Sequence, residues 1–165
     1  MTRLLVAYAS KLGSTGEIAE ALAVELRAAG HDVDVQPVNA VRSMDGYGAV
    51  VIGSALYAAH WQRDANRFVQ RHLTALQGVP VWLFSSGPLD SLLALSNLPI
   101  TEHAQEVTGA IGAIGHRTFG GRLLADAPVD PQVLATHAIG DFRNWDDIQA
   151  WGREIADTLT DSPAG

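Results

Sequence analysis

The sequence predicts an α/β fold in which an open, five-stranded parallel sheet is covered by helices on both faces. Three near-continuous apolar runs of strand length, typical of buried parallel strands, occupy residues 3–9, 49–52 and 79–84. Segments of helical periodicity separate most of the predicted strands, and the order βαββαβαβα is typical of such a sheet. The 165 residues fit one domain over residues 1–160, followed by a flexible tail over residues 161–165.

The first strand, Arg3–Ala9, leads through a polar turn into a helix. The apolar residues of this helix recur at four-residue intervals, at Ile18, Leu22 and Leu26. Ser14 stands three residues before Glu17, which is the spacing of a capping box at a helix start. Gly30 follows the last periodic residue, so we expect the helix to end there.

The middle of the chain predicts four more elements of the layered fold. Residues 31–38 alternate apolar and polar positions, and Pro37 near their end favours an edge strand. Residues 49–54 are apolar until they reach Gly and Ser, so we place them in the centre of the sheet. Residues 64–76 have helical periodicity, and residues 79–84 form a third central strand.

The C-terminal part predicts a helix, a strand and a final helix. The first of these helices is weakly patterned and covers about residues 101–114. The strand lies near residues 117–122, and the final helix runs from Trp145 to about Leu159. Asn144 is the expected N-cap of the final helix, because its short amide side chain can accept a hydrogen bond from the first turn.

Composition and charge exclude several classes of function. The chain has 11 Lys and Arg against 18 Asp and Glu, a net charge of −7, which argues against a nucleic-acid partner. The whole excess lies after residue 82, where four cations face eleven anions. Two interpretations stay open for this acidic half: a solvated face that aids solubility, or a surface that steers a basic partner.

Further exclusions follow from missing residues and patterns. The longest apolar runs are much shorter than the roughly 18–20 residues that span a bilayer, so no transmembrane segment is predicted. The N-terminus lacks a secretion-signal pattern, and we expect a cytoplasmic protein. There is no cysteine, which excludes disulfides and iron–sulfur clusters. The six histidines form no H-x-x-x-H pair and no G-x-S-x-G turn occurs, so neither a zinc site nor a serine hydrolase is predicted.

The loops that leave the buried strands are the place to look for a ligand, because open parallel sheets bind ligands beyond the carboxyl ends of their strands. The first loop, residues 10–15, combines hydroxyls with a helix start and suits a phosphate monoester. A capped turn that binds nothing fits it equally well. The second loop carries Tyr57 and Trp61, which are placed either to stack on a flat ring or to cover the core. The third loop has backbone amides around Gly87 that can meet the edge of a heterocycle.

Four segments together resemble the flavodoxin family, and in particular its branch that contains menaquinone-dependent protoporphyrinogen oxidase. These are Tyr8-Ala9-Ser10-Lys11-Leu12-Gly13-Ser14-Thr15, Val51-Ile52-Gly53-Ser54 with Tyr57 and His60-Trp61, Ser85-Ser86-Gly87-Pro88, and Gly140-Asp141-Phe142-Arg143-Asn144-Trp145. The resemblance implies a three-layer α/β/α sandwich with strand order 2-1-3-4-5 and non-covalently bound FMN.

The same resemblance assigns cofactor-binding residues but no catalytic residue. The residues that it places around the FMN phosphate are Ser10, Lys11, Leu12, Gly13, Ser14 and Thr15. Those that it places along one face of the flavin or near it are Ala55, Leu56, Tyr57, His60 and Trp61. Those that it places on the other side of the ring are Ser86, Gly87 and Pro88.

The implied function is electron transfer between FMN and a redox partner protein or a quinone. The alternatives are a menaquinone-dependent protoporphyrinogen IX oxidase-like enzyme of haem biosynthesis, and a flavodoxin-fold binding module without flavin. Residues 54–62 contain no glycine, unlike many flavodoxins, in which a glycine peptide of this loop flips towards the reduced ring. Residues 123–139 contain no Lys or Arg, whereas the oxidase carries a longer and often basic insertion. Asp141 and Arg143 either serve function or simply pair and cap.

Overall fold

The computed structural model describes residues 2–10, 13–57, 60–87, 102–128, 131–136 and 139–161. The strands are β1 (Arg3–Ala9), β2 (Asp32–Pro37), β3 (Ala49–Tyr57), β4 (His60–Trp61), β5 (Val81–Ser86), β6 (Gly115–Phe119), β7 (Arg122–Leu123) and β8 (Gly140–Asp141). The helices are α1 (Ser14–Ala28), α2 (Arg63–Arg71), α3 (Leu73–Gln77), α4 (Glu102–Ile111), α5 (Pro131–Thr136) and α6 (Trp145–Asp161), and a short 3₁₀ helix covers Val38–Ala40.

The central sheet has the order β2-β1-β3-β5-β6, and all of these strands are parallel. Counted along the five main strands, this is the predicted order 2-1-3-4-5, and β2 is the predicted edge strand. The order reverses at β1, because β2 lies on one side of it and β3 on the other. The carboxyl ends of β1 and β3 therefore flank the position where doubly wound folds bind ligands.

Helices α1 and α6 cover the first face of the sheet. Every second residue of β5 points to this face, and Phe84 packs there in tilted and edge-on contacts with Phe119 and Trp151. Gly53 on the neighbouring strand makes room for the ring, since a Cβ atom at this position would lie 2.0 Å from Cζ of Phe84. Aromatic packing of this kind contributes more than its area burial alone.

Helices α2, α3 and α4 provide the core of the second face. Leu83 points there from β5, next to Ile52 from β3. Phe68 from α2 and Leu76 from α3 belong to the same buried cluster. The alternation of side chains along β5 thus gives both faces of the sheet an apolar core.

Several boundaries differ from the predictions for physical reasons. The predicted capping box is wrong, because α1 is preceded by Gly13 at φ 86° and no side chain caps it. The predicted helix over residues 64–76 is divided into α2 and α3 at His72, whose φ and ψ of −109° and 17° are not helical. The predicted strand near residues 117–122 is found as β6 and β7, which belong to different sheets.

The C-terminal helix follows its prediction closely. The backbone N–H of Asp147 donates to Oδ1 of Asn144 at 3.1 Å, which confirms Asn144 as the cap. The helix continues to Asp161, the first residue of the predicted tail, and residues 162–165 lie outside the described residues. Within the ranges given above, no helix combines the length and apolar character needed to cross a membrane.

Candidate functional site

Parallel pairing brings the three predicted loops to one edge of the sheet. Ala9 of β1 is paired with Ser54 of β3, and Ser54 is paired with Ser85 of β5. The segments that follow these residues therefore leave the sheet side by side.

In the first loop, a glycine in the left-handed conformation directly precedes α1. The backbone N–H of Gly13 donates to Oγ of Ser10 at 2.9 Å, and Gly13 has a φ of 86°, which favours glycine. Helix geometry leaves the N–H groups of the first turn, from Ser14 onwards, without an intrahelical acceptor. This loop thus presents N–H donors at the positive end of a helix dipole. Lys11 and Leu12 lie outside the described residues.

Thr15 gives the loop its clearest sign of an absent partner. Thr15 is 0% exposed, and its Oγ1 has no hydrogen-bond partner among the described residues. A buried hydroxyl without a partner costs free energy, on the order of 1–3 kcal/mol. A ligand with several acceptor oxygens, such as a phosphate, fits this hydroxyl together with the free N–H groups. The residues of the first loop therefore fit the phosphate end of FMN.

The second loop is shorter and more regular than predicted. Strand β3 continues through Tyr57 and pairs with β4 in an antiparallel hairpin, in which Leu56 faces Trp61. Leu56 is half-buried, and the side chain of Tyr57 lies outside what the structure describes. His60 is exposed and stands edge-on to His103, with the ring centroids 5.1 Å apart.

Trp61 lies in the core, in agreement with the interpretation that one aromatic of this loop covers it. Its residue is 3% exposed, and its Nε1 donates to Oγ of Ser85 at 2.9 Å. The ring is consequently packed inside the protein and presents no open face. This burial favours the core interpretation for Trp61, and the position of Trp61 near the flavin stays a prediction.

The third loop approaches the second directly. The N–H of Gly87 donates to the carbonyl oxygen of Phe119 at 2.9 Å, and Gly87 has a φ of 110°. A Cβ atom at Gly87 would lie 3.6 Å from Cβ of Leu56, so Leu56 and Gly87 share one wall. Ser86 is buried at the end of β5. Pro88 lies outside the described residues.

A buried polar network below these loops was missed by the sequence reading. Oγ of Ser85 lies 3.1 Å from Nε2 of His116 and also accepts the Trp61 hydrogen bond. Burial lowers the pKa of His116 to about 4, so the imidazole is neutral near pH 7. Its Nδ1 is buried, and no residue in the described part of the chain is a hydrogen-bond partner for it. The network depends on the pairing of β5 with β6, for which no local sequence signal exists.

Arg143 forms a second polar cluster beside the first loop. Its guanidinium makes two hydrogen bonds to the Asp141 carboxylate at 2.8 and 2.6 Å and one to Glu17 at 2.5 Å. These hydrogen bonds lower the pKa of Glu17 and of Asp141 and raise that of Arg143. The guanidinium also lies 4.6 Å from the ring centroid of Trp145. The interpretation that Asp141 and Arg143 pair is confirmed.

An open groove of about 700 Å³ runs from the first loop to this cluster. It is lined by Tyr8, Ser10, Gly13, Gly16, Glu17, Glu20, Pro37, Arg143 and Trp145. The groove shares Ser10 and Gly13 with the first loop. Its walls thus combine aromatic rings with both signs of charge.

Among the described residues, no three His, Asp or Glu side chains are grouped to hold a metal ion.

The strand order and the three loops at one edge define a doubly wound α/β sandwich of the flavodoxin type. The chain belongs to the flavodoxin domain family, whose model matches residues 5–96. The matched region covers the strands β1, β2, β3 and β5 and the loops that follow three of them.

Curated relatives include protoporphyrinogen IX dehydrogenase [quinone] of Escherichia coli K12. It is 32% identical to this chain over 85 residues, which cover 50% of the chain and 47% of the relative. The protein of the same name from Escherichia coli O157:H7 gives the same values. The matched segment thus spans about half the length of the curated relatives.

Solved structures extend the similarity of fold to the whole chain. A flavodoxin from the domain Archaea matches with a TM-score of 0.65 and 18% identity, over 96% of this chain and 99% of its own. Rubredoxin oxygen:oxidoreductase from Desulfovibrio gigas matches with a TM-score of 0.67 and 15% identity, over 97% and 36%. Two-electron reduced Megasphaera elsdenii flavodoxin gives 0.61 and 18%, over 93% and 98%. At these identities the matches establish the fold.

Proposed function

We propose that this protein binds FMN at the carboxyl edge of its sheet and transfers electrons between a donor and an acceptor. The observation that carries the proposal is the first loop, in which the buried, unpartnered Thr15 hydroxyl lies at the start of α1. Membership of the flavodoxin domain family supports a flavin as the ligand. When bound, FMN supplies the redox chemistry.

In this proposal the first loop binds the phosphate. Ser10, Ser14 and Thr15 provide hydroxyl donors, and the N–H groups of the first turn add the positive end of the helix dipole. Lys11, Leu12 and Gly13 complete the predicted loop. Donors to a charged acceptor contribute about 1.5–3 kcal/mol each. The phosphate is therefore expected to provide a large part of the affinity.

The second and third loops bind the isoalloxazine ring. Leu56 and Gly87 lie close together and form one wall, which keeps water from part of the ring. The remaining residues proposed at the ring are Ala55, Tyr57, His60, Ser86 and Pro88. The hydrogen bond from Trp61 to Ser85 joins the second loop to β5 and holds these walls at a fixed distance.

The test is a titration of the flavin-free protein with FMN and, in parallel, with riboflavin, monitored by flavin fluorescence. We expect tight binding of FMN and at least tenfold weaker binding of riboflavin, because riboflavin lacks the phosphate. Equal affinity for both ligands would remove the first loop from the site. Binding of neither would identify a flavin-free module.

A matched pair of variants locates the phosphate. We expect Thr15→Val to weaken FMN binding by about 10- to 100-fold, corresponding to one charge-assisted hydrogen bond, and to leave riboflavin binding unchanged. Thr118→Val is the control, because Thr118 is also a buried threonine, on β6, whose Oγ1 has no partner within the ranges that the structure describes. Equal losses in both variants would contradict the assignment.

A second candidate function is quinone-dependent oxidation of protoporphyrinogen IX. It is favoured by the similarity to the Escherichia coli enzymes over half of the chain. The stretch at residues 123–139 has no Lys or Arg, which disfavours contact with anionic membranes or porphyrin carboxylates. An assay of the FMN-loaded protein with protoporphyrinogen IX and a soluble menaquinone analogue distinguishes the two, since an electron carrier forms no protoporphyrin.

A further inference from the structure

Helix α2 has a stripe of arginines on its outer face. Arg63, Arg67 and Arg71 follow one another at four-residue intervals, and all three are exposed. At 1.5 Å per residue, the stripe extends about 12 Å along the helix. The opposite face of α2 is buried through Phe68 and its neighbours, so the stripe points away from the core.

None of these three arginines has an ion-pair partner among the described residues, which is also the case for Arg27 and Arg42. The arginines of the C-terminal half all pair with acids, as seen at Arg117, Arg122, Arg143 and Arg153. Asp64 is the acidic residue of α2, and no ion pair joins it to the stripe. A protein of net charge −7 thus keeps a local positive surface.

The stripe begins, at Arg63, next to the proposed flavin edge. Helix α2 begins at Arg63, two residues after Trp61, the end of the second loop. We infer that the face formed by Arg63, Arg67 and Arg71 docks an acidic surface of a partner electron-transfer protein. The proposed function gives this docking its purpose, because electron transfer requires the partner close to the flavin. The docking itself depends on charge alone.

The observations favour a protein over a membrane as the occupant. Helices that bind membranes insert apolar side chains as well as basic ones. The exposed large apolar residues among those described are Val24, Ile114, Leu124, Ile139 and Trp145, and none of them is on α2. A short row of charges without an apolar anchor suits the small, transient interfaces of electron carriers.

The experiment measures binding of an oxidised plant-type [2Fe–2S] ferredoxin, an acidic electron carrier, to the FMN-loaded protein in a series of salt concentrations. We expect wild-type binding that weakens as salt rises, and at least tenfold weaker binding at low salt for the triple variant Arg63→Gln, Arg67→Gln, Arg71→Gln. The control is Gln149→Glu with Arg153→Glu on α6, which lowers the net charge by the same three units. We expect less than a twofold change from it.

Equal weakening in the triple and control variants, or no binding by the wild type, would overturn the inference. Loss of sedimentation with phosphatidylglycerol vesicles in the triple variant, without loss of ferredoxin binding, would also overturn it in favour of a membrane. The flavin absorbance of each sample separates the two proposals. A protein that takes up no FMN but still binds ferredoxin through α2 disproves the proposed function and retains the docking surface.

Discussion

The two faces of the sheet use the same strands in different ways. On the face covered by α1 and α6, an aromatic core around Phe84 lies below helices whose arginines bind other groups of the protein, since Arg153 pairs with Glu25 and Arg27 donates to the carbonyl oxygen of Val33. On the face covered by α2, α3 and α4, a buried polar network links Trp61, Ser85 and His116, and the arginines of α2 are unpaired. The comparison indicates that one face is organised for stability, and the other keeps polar groups next to the ligand edge.

The largest effect is expected on the aromatic face. Phe84→Ala removes a fully buried ring that contacts Phe119 and Trp151, and we expect it to lower the free energy of unfolding by about 3–5 kcal/mol. Urea denaturation measures the loss. Leu83→Ala, which empties the adjacent position on the other face, is the comparison. A larger loss from Leu83→Ala would break the contrast between the faces.

His116 should give the polar face a distinct pH dependence. The pKa of His116 is about 4 in the folded protein and 6.5 ordinarily. Between pH 6.5 and 4 the imidazole is therefore protonated in the unfolded chain but neutral in the folded protein. Stability is therefore full above pH 6.5 and decreases by about 3 kcal/mol as the pH falls to 4.

The measurement for His116 is denaturation at several pH values between 4 and 7.5. We expect His116→Gln to flatten the slope in this window. Burial also lowers the pKa values of His31 and His72. These two residues therefore account for the pH dependence of stability that remains in the His116→Gln variant. An unchanged slope in the variant would show that His116 is protonated freely in the folded protein.

Arg143 should contribute less than the aromatic core. We expect Arg143→Met to cost about 1–3 kcal/mol, because the loss leaves Glu17 and Asp141 without their strongest partner. Arg153→Met is the control and should stay within about 0.5 kcal/mol, since its ion pair is exposed and longer, at 3.6 Å. Equal costs would show that the cluster is an ordinary surface pair.

The stability that the Arg143 cluster contributes also depends on pH. The pKa of Glu17 lies below its ordinary value of 4.5, so the stability from this pair is present above pH 4.5 and is lost as the pH falls further. The stabilities of the wild type and of Arg143→Met should therefore approach each other as the pH falls below 4.5. If the stabilities of the wild type and of Arg143→Met differ by the same amount down to pH 3, the ion pair between Glu17 and Arg143 does not cause the difference.

The smallest effect is expected on α2. Replacing Arg63, Arg67 and Arg71 with Gln should change the free energy of unfolding by less than about 0.5 kcal/mol, because exposed side chains without partners contribute little to stability. Thermal denaturation at low salt is the check. A clear gain in stability would indicate that repulsion between the three arginines destabilises the folded protein, which would support a binding role for them.

The site was predictable in part, and the reason differs between its loops. Ser10, Gly13 and Thr15 stand in one short segment after a buried strand, so local sequence places them together. The burial of Trp61 was one of two open interpretations, because its partner Ser85 is 24 residues away. The contact of Arg143 with Glu17 spans 126 residues. Contacts at that separation leave no periodic signal in the chain.

The sequence by itself determined the class of fold, the strand order by family resemblance, and the helix cap at Asn144. These features depend on side-chain periodicity and on hydrogen bonds between near neighbours, which a few adjacent residues specify. Only the tertiary structure decided that Gly53 makes room for Phe84, that His116 is buried, and that the arginines of α2 are unpaired. Those outcomes depend on which distant side chains the packed sheet and helices bring together, and that is a property of the whole fold.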